Sequence, residues 1–129
     1  MKKEVEDWLI FAERDIGVAE IIVEEEHLTG ITAFHCQQAI EKYLKAFLIN
    51  NGYPLEKTHD LLKLYTQIKQ QVALELDENA LAMISQIYLE SRYPGDFGLL
   101  PDGLPSVELA RKFLEFAKEV KIAITKLLV

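Results

Sequence analysis

The sequence is poor in residues that cross-link, stiffen or break a chain. Its 129 residues include one cysteine, two methionines, four prolines and six glycines. The single cysteine, Cys36, excludes an intrachain disulfide. Its place on an apolar helical face reads as a small buried hydrophobe rather than a reactive thiol. So few prolines and glycines leave room for long helices. Basic residues are scarce too: 14 Lys and Arg against 21 Asp and Glu give a net charge of −7. Such a surface does not hold nucleic acid by non-specific phosphate attraction, although a local basic patch is compatible with it. No run of about eighteen apolar residues occurs, so no transmembrane helix is expected. The N-terminus MKKEVEDWLIFAERD meets acids within a few residues and lacks the unbroken apolar region of a signal peptide. The expectation is a cytoplasmic protein with no membrane association, one domain over residues 1–129 with enough chain for a proper core.

Motifs that carry chemistry are missing as well. His27 and His35 lie too far apart for a helical His-x-x-x-His zinc pair, and Cys36 has no second cysteine. Carboxylate-bridged metal bundles need two Glu-x-x-His motifs, and Glu24 with His27 gives only one. No glycine-rich phosphate loop and no serine nucleophile elbow occurs. No metal and no cofactor is expected, and the sequence does not announce an enzyme.

What the sequence does have is helical periodicity. The first helix is predicted from Lys3 to Glu25, with Val5, Leu9, Ala12, Ile16, Ala19 and Val23 alternating in steps of four and three. Trp8 and Phe11 widen its apolar face. Glu6, Glu13, Glu20 and the run Glu24-Glu25-Glu26 are expected in solvent, and Arg14 in a surface ion pair. His27-Leu28-Thr29-Gly30 reads as a turn, with Thr29 a cap and Gly30 a flexible point. The second helix, AFHCQQAIEKYLKAFLINNG, spans Ala33 to Gly52. It buries Ala33, Cys36, Ile40, Tyr43, Leu44 and Phe47, and stops at Asn50-Asn51-Gly52 before Pro54.

A third helix opens at Thr58 as its cap, with Leu61, Leu64, Tyr65, Ile68 and Val72 buried and His59 in its first turn. A fourth is capped by Asp77, buries Ala80, Leu81, Ile84, Ile87, Tyr88 and Ser91, and ends before Tyr93-Pro94. A long loop follows, from which Phe97, Leu99 and Leu100 tuck against the bundle. The last helix opens at Pro105-Ser106, with proline in its first turn, and carries the seam Ala110, Phe113, Ala117, Val120, Ile124 and Leu127. Nothing alternates with period two over a strand's length. The fold class is all-α, an up-and-down bundle of four to five helices.

The second helix also bears a polar stripe: His35, Gln38, Lys42 and Lys45. Glu41 precedes Lys45 by four residues, the better orientation for a surface ion pair. With His59, Arg92 and Tyr93 near other helix ends, this stripe supplies a candidate ligand-binding set of Gln38, Lys42, Lys45, His59, Arg92 and Tyr93. An arginine fork and lysines take phosphate oxygens, a ring stacks on a base, and amide and imidazole groups hydrogen-bond a base or ribose.

The segments WLIFAERDIGVAE, AFHCQQAIEKYLKAFLINNG, KTHDLLKL and YLESRYPG, in that order, resemble the HEPN domain, a helical bundle of higher eukaryotes and prokaryotes. The resemblance covers nearly the whole chain. It implies a bundle of four or five helices that commonly forms homodimers. It also implies a separate minimal nucleotidyltransferase as partner, often as a toxin–antitoxin pair, or kinship with the substrate-binding helical domain of larger nucleotidyltransferases. Active HEPN ribonucleases carry an arginine, four to six residues, then a histidine. The corresponding windows hold Ala19, Glu20 and Ile21 after Arg14, Phe97, Gly98 and Leu99 after Arg92, and Phe116, Ala117 and Lys118 after Arg111. None contains a histidine.

The expected function is therefore a nucleotide-binding or partner module acting with a nucleotidyltransferase. Two alternatives stand beside it. One is a metal-independent ribonuclease in which Arg92 stabilises transition-state charge and His59 serves as acid or base, with RNA as substrate. The other is a purely structural or regulatory dimerisation domain. A homodimer is expected in each case, because Trp8, Phe11, Tyr88, Leu99 and Leu100 exceed what one seam buries.

Overall fold

The computed structural model describes the backbone of residues 1–92 and 104–128, and the side chains of the same residues except 89–92. Five α-helices follow in order: α1 (Lys3–Ile22), α2 (Thr29–Asn50), α3 (Leu61–Lys69), α4 (Glu78–Arg92) and α5 (Val107–Leu127), with a single 3₁₀ turn at Glu26–Leu28. The described residues contain no strand. The all-α bundle is as the periodicity predicts. Among them, no helix is long and apolar enough to cross a membrane.

α2 is the central rod and packs against each of the other four helices, most extensively against α1. Its composition explains this position. Ala33, Cys36, Ala39, Ile40, Tyr43, Leu44 and Phe47 are all within 1% of full burial. Together they cover more than one stripe of the helix, which is the pattern of a rod surrounded by partners. The outer helices contribute narrower seams. α1 buries Val5, Ala12, Ile16 and Ala19, while α5 buries Ala110, Phe113, Ala117, Val120 and Ile124.

The termini of the elements follow local chemistry. Asp60 accepts from the Lys63 amide at 3.2 Å, Asp77 from the Ala80 amide at 3.1 Å and Ser106 from the Leu109 amide at 3.0 Å. Each satisfies a first-turn donor that the helix itself leaves unpaired. At the end of α2 the Tyr53 amide reaches the Leu48 carbonyl and the Gly52 amide the Ile49 carbonyl, with Gly52 at φ +87°. This is a Schellman closure, and it needs the left-handed backbone that glycine adopts without strain.

Several boundaries differ from those expected. α2 begins at Thr29, four residues earlier than predicted. The Thr29 and Thr32 hydroxyls donate to the Glu26 and Leu28 carbonyls, and Gly30 is buried in the first turn rather than serving as a flexible point. α1 stops at Ile22, short of Glu25, and the chain enters the 3₁₀ turn. α3 starts at Leu61, capped by Asp60 instead of Thr58, because the Thr58 hydroxyl accepts from the Asp60 amide and turns the chain before the helix. His59 therefore precedes α3. Pro105 stands just before the Ser106 cap rather than within the first turn.

Apolar residues left outside the core are concentrated on α1. Ile10, Phe11, Val18 and Ile21 are 37–81% exposed. Tyr88, expected among the surplus, is buried in the chain itself at 3% exposure. Phe97, Leu99 and Leu100 lie outside the described residues.

Candidate functional site

The polar stripe of α2 is organised by two carboxylates. The first, Asp15, comes from α1. Its Oδ1 faces His35 Nδ1 at 2.9 Å, and its Oδ2 accepts from Lys42 Nζ at 2.5 Å. The second, Glu41, belongs to α2. Its Oε1 faces His59 Nδ1 at 2.8 Å and accepts from Gln37 Nε2 at 3.1 Å, and its Oε2 accepts from Lys45 Nζ at 2.9 Å. Gln37 also donates to the His59 carbonyl at 3.2 Å, and Gln38 donates to Gln37 Oε1 at 2.8 Å. These bonds hold the segment ahead of α3 against α2, which fixes where His59 stands.

Aromatic rings join the two clusters. Phe34 meets His35 edge-on at 5.1 Å and stacks with Tyr88 of α4 at 5.5 Å and 15°. Tyr88 in turn lies 5.9 Å from the His59 ring. The two imidazoles thus flank a stacked Phe34–Tyr88 pair. On the α1 side, Lys42 Nζ lies 6.0 Å and Arg14 Cζ 5.2 Å from the Phe11 ring, and Lys45 Nζ lies 5.9 Å from the Trp8 ring. Arg14 sits over this ring rather than in the surface ion pair expected of it.

The charges differ in accessibility. Lys45 and Glu41 are 6% and 4% exposed, so the pair expected on the surface is a buried one. A buried pair is held by its full set of hydrogen bonds, and losing one partner strands a charge in a poorly solvated place. Lys42 and His35 are partly accessible, with 19% and 23% of their side chains exposed, and His59 stands out at 59%. Gln38 is half-buried beside them. The Arg92 side chain and all of Tyr93 lie outside the described residues. The structure thus brings Gln38, Lys42, Lys45 and His59 of the expected set into one connected network.

Three members of this network, Asp15, Gln37 and Phe34, were not singled out from the sequence, and a fourth, Glu41, was read only as a surface partner of Lys45. Asp15 lies three residues after Ala12 and four before Ala19, at the edge of the buried seam of α1. Gln37 and Glu41 lie in one helical row with Leu44 and Leu48 and are buried with them. Phe34 packs beside the stripe. A carboxylate or amide placed in step with a buried apolar row is the signal that points to such groups, since it must find partners inside.

The neighbouring titratable groups are structural. Burial, reinforced by the Asp15 charge, pushes the Cys36 thiol up to about 12. Burial and the hydrogen bond to Glu13 push the Tyr43 phenol up, keeping it a donor. Partial burial pushes the Glu13 carboxyl up, but hydrogen bonds from Lys121 and Tyr43 and the Lys121 charge outweigh it and hold the group below the usual carboxylate range. Glu13, Glu20 and Glu24 are thus not simply solvated, because they pair with Lys121, Lys118 and Arg111 of α5.

Chemically the site offers two carboxylate-oriented imidazoles, one accessible ammonium, an amide and a stacked aromatic pair. Histidines suit hydrogen bonding and proton transfer near neutral pH. Among the described residues, no three His, Cys, Asp or Glu side chains are grouped to hold a metal ion.

Comparison with known proteins agrees with the architecture. The chain superposes on TT1696 from Thermus thermophilus with a TM-score of 0.82 at 21% identity, covering 97% of this chain and 98% of the other. It superposes on ST0689, an archaeal HEPN homologue, with a TM-score of 0.73 at 22% identity over 100% of both chains. No curated protein matches it. The family model for the HEPN domain matches residues 5–126, and the chain accordingly belongs to the HEPN domain family.

Proposed function

We propose that this HEPN protein is a nucleotide-binding module that acts with a separate minimal nucleotidyltransferase, as one half of a toxin–antitoxin pair. The observation that supports this reading is the network that joins His35 to Lys42 through Asp15 and His59 to Gln38 through Glu41 and Gln37, with the two imidazoles flanking the Phe34–Tyr88 stack. Imidazole and amide groups beside an aromatic surface suit a base and ribose. Lys42 supplies the phosphate end, and Arg92 and Tyr93, whose side chains lie outside the described residues, complete the proposed set. Lys45, buried against Glu41, serves by holding that carboxylate and through it His59.

The module acts as a homodimer. The exposed apolar residues Ile10, Phe11, Val18 and Ile21 on one side of α1 support this, since large apolar side chains gathered on one helix face are costly to leave in water.

The test is thermal unfolding with ATP, GTP, CTP and UTP. A ligand bound to the native state at about a hundred times its Kd adds about 2.7 kcal/mol. One of the four is expected to raise Tm in the wild type and to lose that effect in His59→Ala. Unchanged Tm with all four overturns the reading.

A further inference from the structure

Among the described residues, the two ammonium groups nearest His35 and His59, those of Lys42 and Lys45, are each engaged by a carboxylate. We infer that the site takes up a phosphate-bearing ligand together with protons, which His35 and His59 accept as the anion binds. This inference rests on the nucleotide-binding reading above and concerns how that same site is controlled.

The argument is a charge count. Lys42 is bound to Asp15 at 2.5 Å and Lys45 to Glu41 at 2.9 Å. The two ammonium groups and two carboxylates cancel. With both imidazoles neutral, these four groups carry no net charge, and the exposed Arg14 guanidinium over Phe11 and the Asp60 carboxylate next to His59 add one charge of each sign. The groups facing His35 are Asp15 from α1, Lys42 from α2 and, across Phe34, Tyr88 from α4. Those facing His59 are Glu41 with Lys45 behind it from α2, Tyr88 from α4, and its chain neighbour Asp60. Lys63 of α3 is engaged by Glu56 at 3.3 Å.

The hydrogen bonds then decide what each ring offers. A carboxylate only accepts, so the Nδ1 facing it carries the ring hydrogen. In the neutral ring Nε2 is left with a lone pair, which repels a phosphate oxygen. Protonation turns Nε2 into a charged donor while the Nδ1 bond to Asp15 or Glu41 is kept. One proton per ring therefore supplies both the charge and the donor that the anion needs, without breaking either ion pair. By linkage, whatever binds better to the protonated form draws protons onto it.

The experiment is titration calorimetry of the wild-type protein with thymidylyl-thymidine, whose single phosphodiester keeps its charge across the range. Measurements span about pH 5.5 to pH 8.5, bracketing histidine's ordinary value of about 6.5. The association constant is expected to fall with rising pH, by about tenfold per unit for each histidine coupled once the rings are neutral. Repeating the titration in two buffers of different ionisation enthalpy is expected to show one to two protons taken up. The double variant His35→Gln and His59→Gln is expected to bind weakly and equally at all pH values. Asp15→Asn, which frees Lys42, is expected to strengthen binding at the alkaline end.

Binding of constant strength with no proton uptake overturns this inference and leaves the nucleotide reading standing. A pH dependence that survives in the double variant overturns it too. No binding at any pH overturns this inference, while the nucleotide reading stands or falls on the thermal shifts with the four nucleoside triphosphates. The buffer comparison needs only the wild type, so an unstable variant does not block the test.

Discussion

His59 Nδ1 lies 2.8 Å from Glu41 Oε1, joining the exposed segment before α3 to a carboxylate buried in the central helix. The same carboxylate holds Lys45 on its other oxygen at 2.9 Å. Glu41 is thus an anchor with an accessible end and a buried end, and its two partners respond differently to substitution.

At the buried end, Lys45→Met leaves the Glu41 carboxylate without its ammonium partner at 4% exposure. The expected loss of stability is about 3 kcal/mol. Adding Glu41→Gln removes the stranded charge and recovers most of it. Urea denaturation of the wild type, the single and the double variant measures both steps.

Two glycines give opposite signs for one substitution. Gly52 has φ +87° at the end of α2, and alanine there is strained although nothing crowds its Cβ. Gly52→Ala is expected to cost about 1 kcal/mol. Gly17 lies inside α1 with nothing within 4 Å of an added Cβ. Gly17→Ala is expected to stabilise by about 0.5–1 kcal/mol, the helical preference for alanine. Thermal unfolding of the two variants separates these effects.

Glu13 ties α1 to Tyr43 and Lys121 and is held below its ordinary value of 4.5. A carboxyl lowered on folding stabilises the native state fully above its unfolded value, and the contribution fades as pH falls through its folded value. The wild type is therefore expected to exceed Glu13→Gln in stability at pH 7. The gap is expected to close on acidification below 4.5. Denaturation curves for both proteins across that range check the sign.

Cys36 is fully buried, and its thiol is pushed up to about 12. Because only the thiolate attacks, native protein at pH 8 is expected to react with a disulfide reagent on the timescale of its opening. In urea the reaction is expected to finish at once. Prompt labelling of the native protein contradicts this.

The helices were legible in the sequence because a seam of apolar side chains at steps of three and four can be buried in only one way. α2 stood out for the same reason. What the sequence did not disclose was the partner of each polar group. Lys42 and Asp15 are 27 residues apart, and the bond between them depends on how α1 packs against α2. Lys45 illustrates the limit. Its spacing from Glu41 was readable, but its burial came from Trp8 of α1 and from the segment that carries His59. The starts of α2 and α3 shifted because threonine hydroxyls bonded to nearby backbone groups, a choice that composition leaves open.

The central claim is that a nucleotide sits beside His35 and His59, and the chain contains an internal control. His27 lies in the exposed turn between α1 and α2, outside the network. Imidazole resonances followed by NMR during titration with the nucleotide that raises Tm test the claim most directly. His35 and His59 are predicted to move together and saturate, while His27 stays in place. Saturation with both fixed, or movement of His27 alone, contradicts the account.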